Sequence, residues 1–121
     1  MHIVVIDAAH LPLGAEFPPL QAERYGWEEY REIDASMLAQ RCRRAGVLVT
    51  VASVVSRQLM AQLPRLKLIA VAAAQVDGVD LEAAAKHGIA VCNVPPGSDP
   101  CTEVCANIDA FVRGERRNRV I

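Results

Sequence analysis

The sequence predicts an α/β fold built on an all-parallel sheet, and three observations predict it. Short apolar runs recur along the 121 residues, separated by amphipathic segments and loops. The runs His2–Ile6, Val47–Val51, Leu66–Ala72 and Ile89–Val94 are nearly continuous in apolar character, as strands covered on both faces require. The intervening segments carry helix punctuation: Asp34, Ser56 and Asp80 as caps, Gly46, Pro64 and Gly88 as stops. Strands alternating with helices imply parallel strands with helices on both faces. For five such units the common strand order is 2-1-3-4-5, a flavodoxin-like three-layer sandwich.

Each element follows in order. His2–Ile6 is the first strand and ends at Asp7. Leu11–Pro19 is rich in Pro and Gly and reads as a long loop, followed by a short helix over Leu20–Tyr25. Glu28–Ile33 is a weak second strand, placed at a sheet edge because charges interrupt it. Asp34 opens a helix that turns Met37, Leu38 and Cys42 inward and stops at Gly46. Val47–Val51 is the third strand. Ser56 caps a helix carrying Leu59, Met60 and Leu63. Leu66–Ala72 is the fourth strand. Asp80 caps the helix Leu81–His87, and Ile89–Val94 is the fifth strand. Pro95–Pro100 forms a rigid turn. Cys101–Arg113 is the last helix, with Val104, Ile108, Phe111 and Val112 inward and Gly114 after its end. Glu115–Ile121 is a tail in which Val120 and Ile121 dock on the body.

Composition bounds the function. A chain of 121 residues with 52% hydrophobic composition supports one core, and 4% aromatics means Val, Ile, Leu and Ala must build it. Thirteen basic and fourteen acidic residues leave a formal charge of −1, so neither nucleic acid nor an anionic membrane is an expected partner. The basic run Arg113, Arg116, Arg117, Arg119 reads as a solvated tail. No apolar stretch reaches the ~18 residues of a membrane span. The first residues lack the features of a signal peptide, so a cytoplasmic location is expected. Cys42, Cys92, Cys101 and Cys105 lack C-x-x-C spacing and read as reduced thiols. Cys101 and Cys105 would share a helix face, yet two thiols with distant histidines make no zinc site, and no metal is expected.

In such a sheet ligands bind beyond the carboxyl ends of the strands, near the switch point between the first and third strands. That selects Asp7–His10, Val51–Val54 and Ala73–Asp77. Reactive groups are sparse there. Ser53 has no base near it in sequence, and His10 reads as a solvated loop histidine. Asp77 and Asp80 bracket Gly78 and read as turn and cap residues. No G-x-G-x-x-G loop follows any strand, so no dinucleotide site is expected. Ala8–Leu13 cannot form a flavin phosphate loop, and Ala52 stands where a phosphoacceptor domain needs an Asp.

The stretch Leu66–Pro95, with Ser56–Pro64 before it, closely resembles the substrate-binding (catalytic) domain of the D-isomer-specific 2-hydroxyacid dehydrogenases, above all the glycerate dehydrogenase and hydroxypyruvate reductase branch. Glu103–Glu115 with Arg117–Val120 resembles the C-terminal helix and tail of the same enzymes. The resemblance implies a single domain over residues 1–121. Residues 1–95 would be the N-terminal part of the family's substrate domain, 96–100 a joint and 101–121 the returning C-terminal segment. In the family a Rossmann cofactor domain lies at that joint. The simplest reading is a chain from which that domain was excised, naturally or by engineering. The family's catalytic Arg, Glu and His and its dinucleotide loop match no residue here, so no catalytic residue and no cofactor is expected.

The resemblance also marks a vestigial substrate site: Ser53, Gln75, Val76, Asp77 and Gly78. Relatives carry a polar pair near Ser53. They carry a Thr-Gly-Thr-Asp-Asn-like loop, presenting backbone N–H groups to the substrate carboxylate, where this chain has Ala74–Gly78. Gln75 in place of glycine restricts backbone freedom. Ala74 and Val76 remove hydroxyls. The favoured reading is an isolated, catalytically inactive scaffold. The alternatives are a module that weakly binds a 2-hydroxy or 2-oxo acid and a half-enzyme needing a separate cofactor chain. Apolar residues Val51, Val54, Val55 and Val76 would favour self-association as a homodimer, and the short joint invites swapping of the last helix.

Overall fold

Side-chain alternation along a parallel sheet builds two cores at once. In the computed structural model, which describes all residues Met1–Ile121, the strands are β1 (His2–Val5), β2 (Gly26–Glu29), β3 (Val47–Thr50), β4 (Leu68–Val71) and β5 (Ala90–Cys92). All pair in parallel in the order β2-β1-β3-β4-β5. This is the predicted class and order. The structure draws each strand shorter than its apolar run.

Val4, Ile6, Leu48, Ile69, Val71 and Val91 point to one face. There α1 (Leu38–Arg41), α2 (Arg57–Ala61) and α3 (Leu81–Lys86) supply the covering layer through residues such as Cys42, Leu59, Met60, Ala83 and Ala84. Ile3, Val5, Val47, Val49, Leu68 and Ala70 point to the other face. It is covered by α4 (Pro100–Val112), through Val104, Cys105 and Ile108, and by the irregular segment that contributes Leu20 and Phe17. The central strands β3 and β4 are buried at every residue.

Punctuation residues act as read. Ser56 Oγ accepts the Leu59 N–H, Asp80 the Ala83 N–H, and Asp34 the Ser36 N–H. Asp99 caps α4 by accepting the Cys101 N–H, and Gly114 follows the helix at φ +80°.

Several expectations are corrected. The second strand begins at Gly26 rather than Glu28 and ends at Glu29 rather than Ile33. Trp27 is its second residue, half-buried against Phe17 with ring centroids 5.2 Å apart. No helix forms over Leu20–Tyr25. Its N–H groups are claimed by side chains, since the Asp109 carboxylate accepts from Gln21 and Ala22, and the segment's own Tyr25 hydroxyl accepts from Leu20. The helix expected from Asp34 is a 3-10 turn, Ala35–Met37, followed by the single turn of α1. Val112 faces solvent at 49% exposure. Val55 is fully buried, so the apolar rim at the strand ends reduces to Val54, 69% exposed, with half-buried Val51 and Val76.

The tail docks, as expected, and more extensively. Val120 N–H donates to the Val91 carbonyl and Asn93 N–H to the Asn118 carbonyl, with Cys92 opposite Arg119 in antiparallel pairing. The open edge of β5 is thereby covered, which removes a site for edge-to-edge association. Asn107 ties tail to sheet: its Nδ2 donates to the Asn93 carbonyl, and its Oδ1 accepts from Arg117 and Asn118. No helix is long and apolar enough to cross a membrane.

Candidate functional site

The chain reverses direction at the carboxyl ends of β1, β3 and β4, and three loops meet there around a cleft of about 430 Å³. Every residue predicted for the site lines it: Ser53 from the β3 loop, and Gln75, Val76, Asp77 and Gly78 from the β4 loop. His10 reaches it from the 3-10 turn Ala8–His10 after β1.

One residue organises the β3 loop. Asp7 directly follows the first apolar run and is 3% exposed. Its carboxylate accepts the N–H groups of Val51, Ala52 and Ser53 at 2.8, 2.9 and 3.0 Å. It also accepts the Ser53 hydroxyl at 2.7 Å and the Thr50 hydroxyl at 3.3 Å. A buried carboxylate needs such donors to offset its lost hydration. Sequence reading placed Asp7 in the loop after the first strand and gave it no role. The signal was an ionisable residue at the end of a strand otherwise too apolar to reach water.

The β4 loop is in the opposite condition. None of the N–H groups from Ala73 to Gly78 donates to a protein acceptor. The loop is held by its carbonyls and flanks instead. Val55 N–H donates to the Gly78 carbonyl, Asp80 N–H to the Val55 carbonyl, and Asn93 Nδ2 to the Ala74 carbonyl. Gly78 is needed for close approach rather than for an unusual φ, because a Cβ there would lie 2.6 Å from the Ser53 carbonyl oxygen. The two loops are thus locked side by side, one with its Val51, Ala52 and Ser53 donors taken by Asp7, the other with its donors open.

The cleft's charge is sparse. Asp77 is exposed at its rim with no bonded partner, and no Arg or Lys lines the cleft. His10 is exposed and has no side-chain hydrogen bond to orient its ring, so nothing fixes it as a general base. Of the expected turn and cap residues, Asp80 caps α3, and Asp77 sits in the turn closed by Val79 N–H on the Val76 carbonyl, its carboxylate making no hydrogen bond. The cysteines do not serve as nucleophiles. Burial pushes Cys42 and Cys105 up to about 12, aided by Glu28 and Asp109 respectively, and Cys92 and Cys101 up to about 11. All four are buried free thiols, protonated at neutral pH. The loops do not fit a dinucleotide phosphate either: Gly78 is their only glycine, and it is packed against Ser53.

Comparison with known proteins agrees with this fold. The chain is 37% identical over 94 residues to a putative 2-hydroxyacid dehydrogenase of Haemophilus influenzae, covering 78% of this chain and 30% of that protein. It is 36% identical over 70 residues to a glyoxylate reductase of Pyrococcus furiosus, covering 57% and 21%. The chain thus spans between 21% and 30% of the length of these two relatives. Among solved structures, an NAD+-bound 3-phosphoglycerate dehydrogenase of Entamoeba histolytica shares the fold at TM-score 0.62 and 20% identity, over 78% of this chain and 33% of that one. Residues 3–102 match the family model described as the catalytic domain of D-isomer specific 2-hydroxyacid dehydrogenases, and the chain belongs to that family.

Proposed function

We propose that this chain is the substrate-recognition lobe of a D-2-hydroxyacid oxidoreductase. It takes the carboxylate of a small 2-hydroxy or 2-oxo acid on its β4 loop and by itself transfers no hydride. The observation that carries the reading is the run of open N–H groups from Ala73 to Gly78 beside a β3 loop already filled by Asp7. Backbone N–H groups left without a protein acceptor beside a concave surface suit an anion. The names of the relatives, a 2-hydroxyacid dehydrogenase and glyoxylate reductases, supply the substrate class.

Affinity is weak by construction. No cation lines the cleft, Asp77 stands at its mouth, and Gln75 and Val76 offer neither a glycine's freedom nor a hydroxyl. A dissociation constant near 1 mM, roughly −4 kcal/mol, is the expected scale. Hydride transfer requires a nicotinamide and an acid/base held in reacting geometry. Residues 1–121 contain no glycine-rich dinucleotide loop, and His10 is unoriented.

An amide-resolved NMR titration with glyoxylate tests the reading. Shifts confined to Ala73–Gly78, with Val51–Ser53 unmoved, are expected. A dispersed spectrum that does not move would leave a scaffold without substrate recognition. NADH oxidation by the chain alone with glyoxylate, clearly above a buffer blank, would overturn the second half of the proposal.

A further inference from the structure

We propose that a second groove, at the opposite end of the sheet from the cleft, binds a small polyanion of linked phosphates. It lies at the amino ends of β1, β3 and β4, encloses about 740 Å³, and is lined by Arg41, Arg43, Arg44 and Arg65.

These arginines differ from others in the chain. Arg57, Arg113 and Arg117 each reach a carboxylate within 3.5 Å, whereas none of the four groove arginines does. The one acid lining the groove is Glu28, and its oxygens are already engaged, one by His2 Nε2 at 2.7 Å and the other by the Tyr30 hydroxyl at 3.4 Å. A chain with a formal charge of −1 therefore gathers four unpaired guanidinium groups in one concavity.

Their supports are rigid. Arg43 and Arg44 sit in a turn closed by Ala45 N–H on the Cys42 carbonyl, with Cys42 and Ala45 fully buried on either side. Arg65 sits in a turn of the same plan, closed by Leu66 N–H on the Leu63 carbonyl, again between buried residues. Gly46 joins the turns to the sheet: its N–H donates to the His2 carbonyl and its carbonyl accepts from Lys67. Arginines projected from anchored turns lose less freedom on binding than arginines on a frayed tail. A guanidinium fork matches phosphate bidentately and stays charged at any working pH. The groove is a compact concavity rather than a long stripe, which favours a small ligand with two or three linked phosphates over a nucleic-acid backbone.

The test uses the full chain, titrated with orthophosphate, pyrophosphate and tripolyphosphate by calorimetry and amide-resolved NMR, at low and at physiological ionic strength. Tripolyphosphate should bind at least about ten-fold more tightly than orthophosphate, with shifts at residues 41–46 and 65. Arg43→Ala with Arg65→Ala should weaken it about ten-fold or more, since each removes charged hydrogen bonds. These residues are exposed, so folding should be unaffected. A second pair, Arg113→Ala with Arg116→Ala, should leave affinity unchanged. Equal affinity for ortho- and tripolyphosphate, equal loss in both variants, or binding of a short RNA without tripolyphosphate would each overturn the proposal. The glyoxylate titration reads the other end of the sheet, so the two proposals fail independently.

Discussion

The Asp7 carboxylate accepts the Ser53 hydroxyl at 2.7 Å and the Ser53 N–H at 3.0 Å, joining the exit of the first strand to the exit of the third. With the Val51 and Ala52 bonds, one buried side chain occupies the anion-holding face of the β3 loop. A substrate carboxylate cannot share those donors, and it would meet the negative charge of Asp7 behind them. In the proposed function the cleft therefore has one receptor loop, after β4. Ser53, predicted for substrate contact, is engaged inward.

Removing that carboxylate should cost stability. Asp7→Ala leaves three part-buried N–H groups without their acceptor, and a loss of about 3 kcal/mol is expected. Asp7→Asn keeps one accepting oxygen and should lose about half as much. Urea unfolding of the three proteins measures the difference. A loss below about 0.5 kcal/mol for Asp7→Ala would mean that water replaces the carboxylate and that the loop does not depend on it.

Gly78→Ala addresses the contact between loops. The new Cβ would lie 2.6 Å from the Ser53 carbonyl oxygen, backbone that cannot turn aside, so the loops must separate. About 2 kcal/mol of stability should be lost, with the glyoxylate shifts. Gly97→Ala provides contrast. Its φ of +82° is strained for alanine, but nothing lies within 4 Å, so only about 1 kcal/mol should go and the cleft should be unaffected.

The sheet was legible because β3 and β4 are apolar at nearly every residue, a pattern that only strands covered on both faces tolerate. Caps were legible at Ser56 and Asp80 because the bond is local, three residues along. What sequence reading missed is non-local. Leu20–Tyr25 has helical patterning, but its donors are taken by Asp109, 88 residues from Gln21. The role of Asp7 depends on loops 44 to 46 residues away. The β4-loop residues that the resemblance marked, Gln75 to Gly78, line the cleft. Only the hydrogen-bond inventory separates the open donors of this loop from the filled donors of the β3 loop.

Asn107 should be the most sensitive tie between α4, β5 and the tail. It is 2% exposed and makes three bonds, to the Asn93 carbonyl, Arg117 and Asn118. Asn107→Leu strands those partners, so about 2–3 kcal/mol should be lost. Amide exchange should report it locally, at Val120 and Asn93, whose N–H groups bond across the β5 edge. Uniform acceleration, no greater at these amides than in β3, would show that Asn107 supports the core rather than the tail.

The cysteines give a chemical test of packing. Native chain should leave all four thiols unlabelled by an aromatic disulfide reagent at pH 8, because each is buried and held protonated by desolvation. All four should react in denaturant. Fast native labelling of Cys101 and Cys105 alone would show α4 detaching from the sheet.

The tail also carries a pH dependence of defined sign. Arg117 donates to Glu103 at 2.8 Å and Asn118 adds a second bond at 3.3 Å, and the Arg117 bond is the main cause holding Glu103 below its ordinary value of 4.5. The unfolded chain therefore takes up the Glu103 proton at higher pH than the folded one. The stabilisation is fully present above the ordinary value and is lost as pH falls through the depressed one. Glu103→Gln should lower the urea midpoint at pH 7 and converge with the parent at low pH. Asp34, held down by Ser36, and Glu115, held down by Arg113, retain the same sign of dependence in the variant. The variant's curve should therefore be shallower, not flat. A parent and variant that stay parallel from pH 7 to the acid transition would show that the Arg117 pair contributes nothing to folding, as exposed pairs often do, and that Asn107 and the backbone bonds along β5 hold the tail.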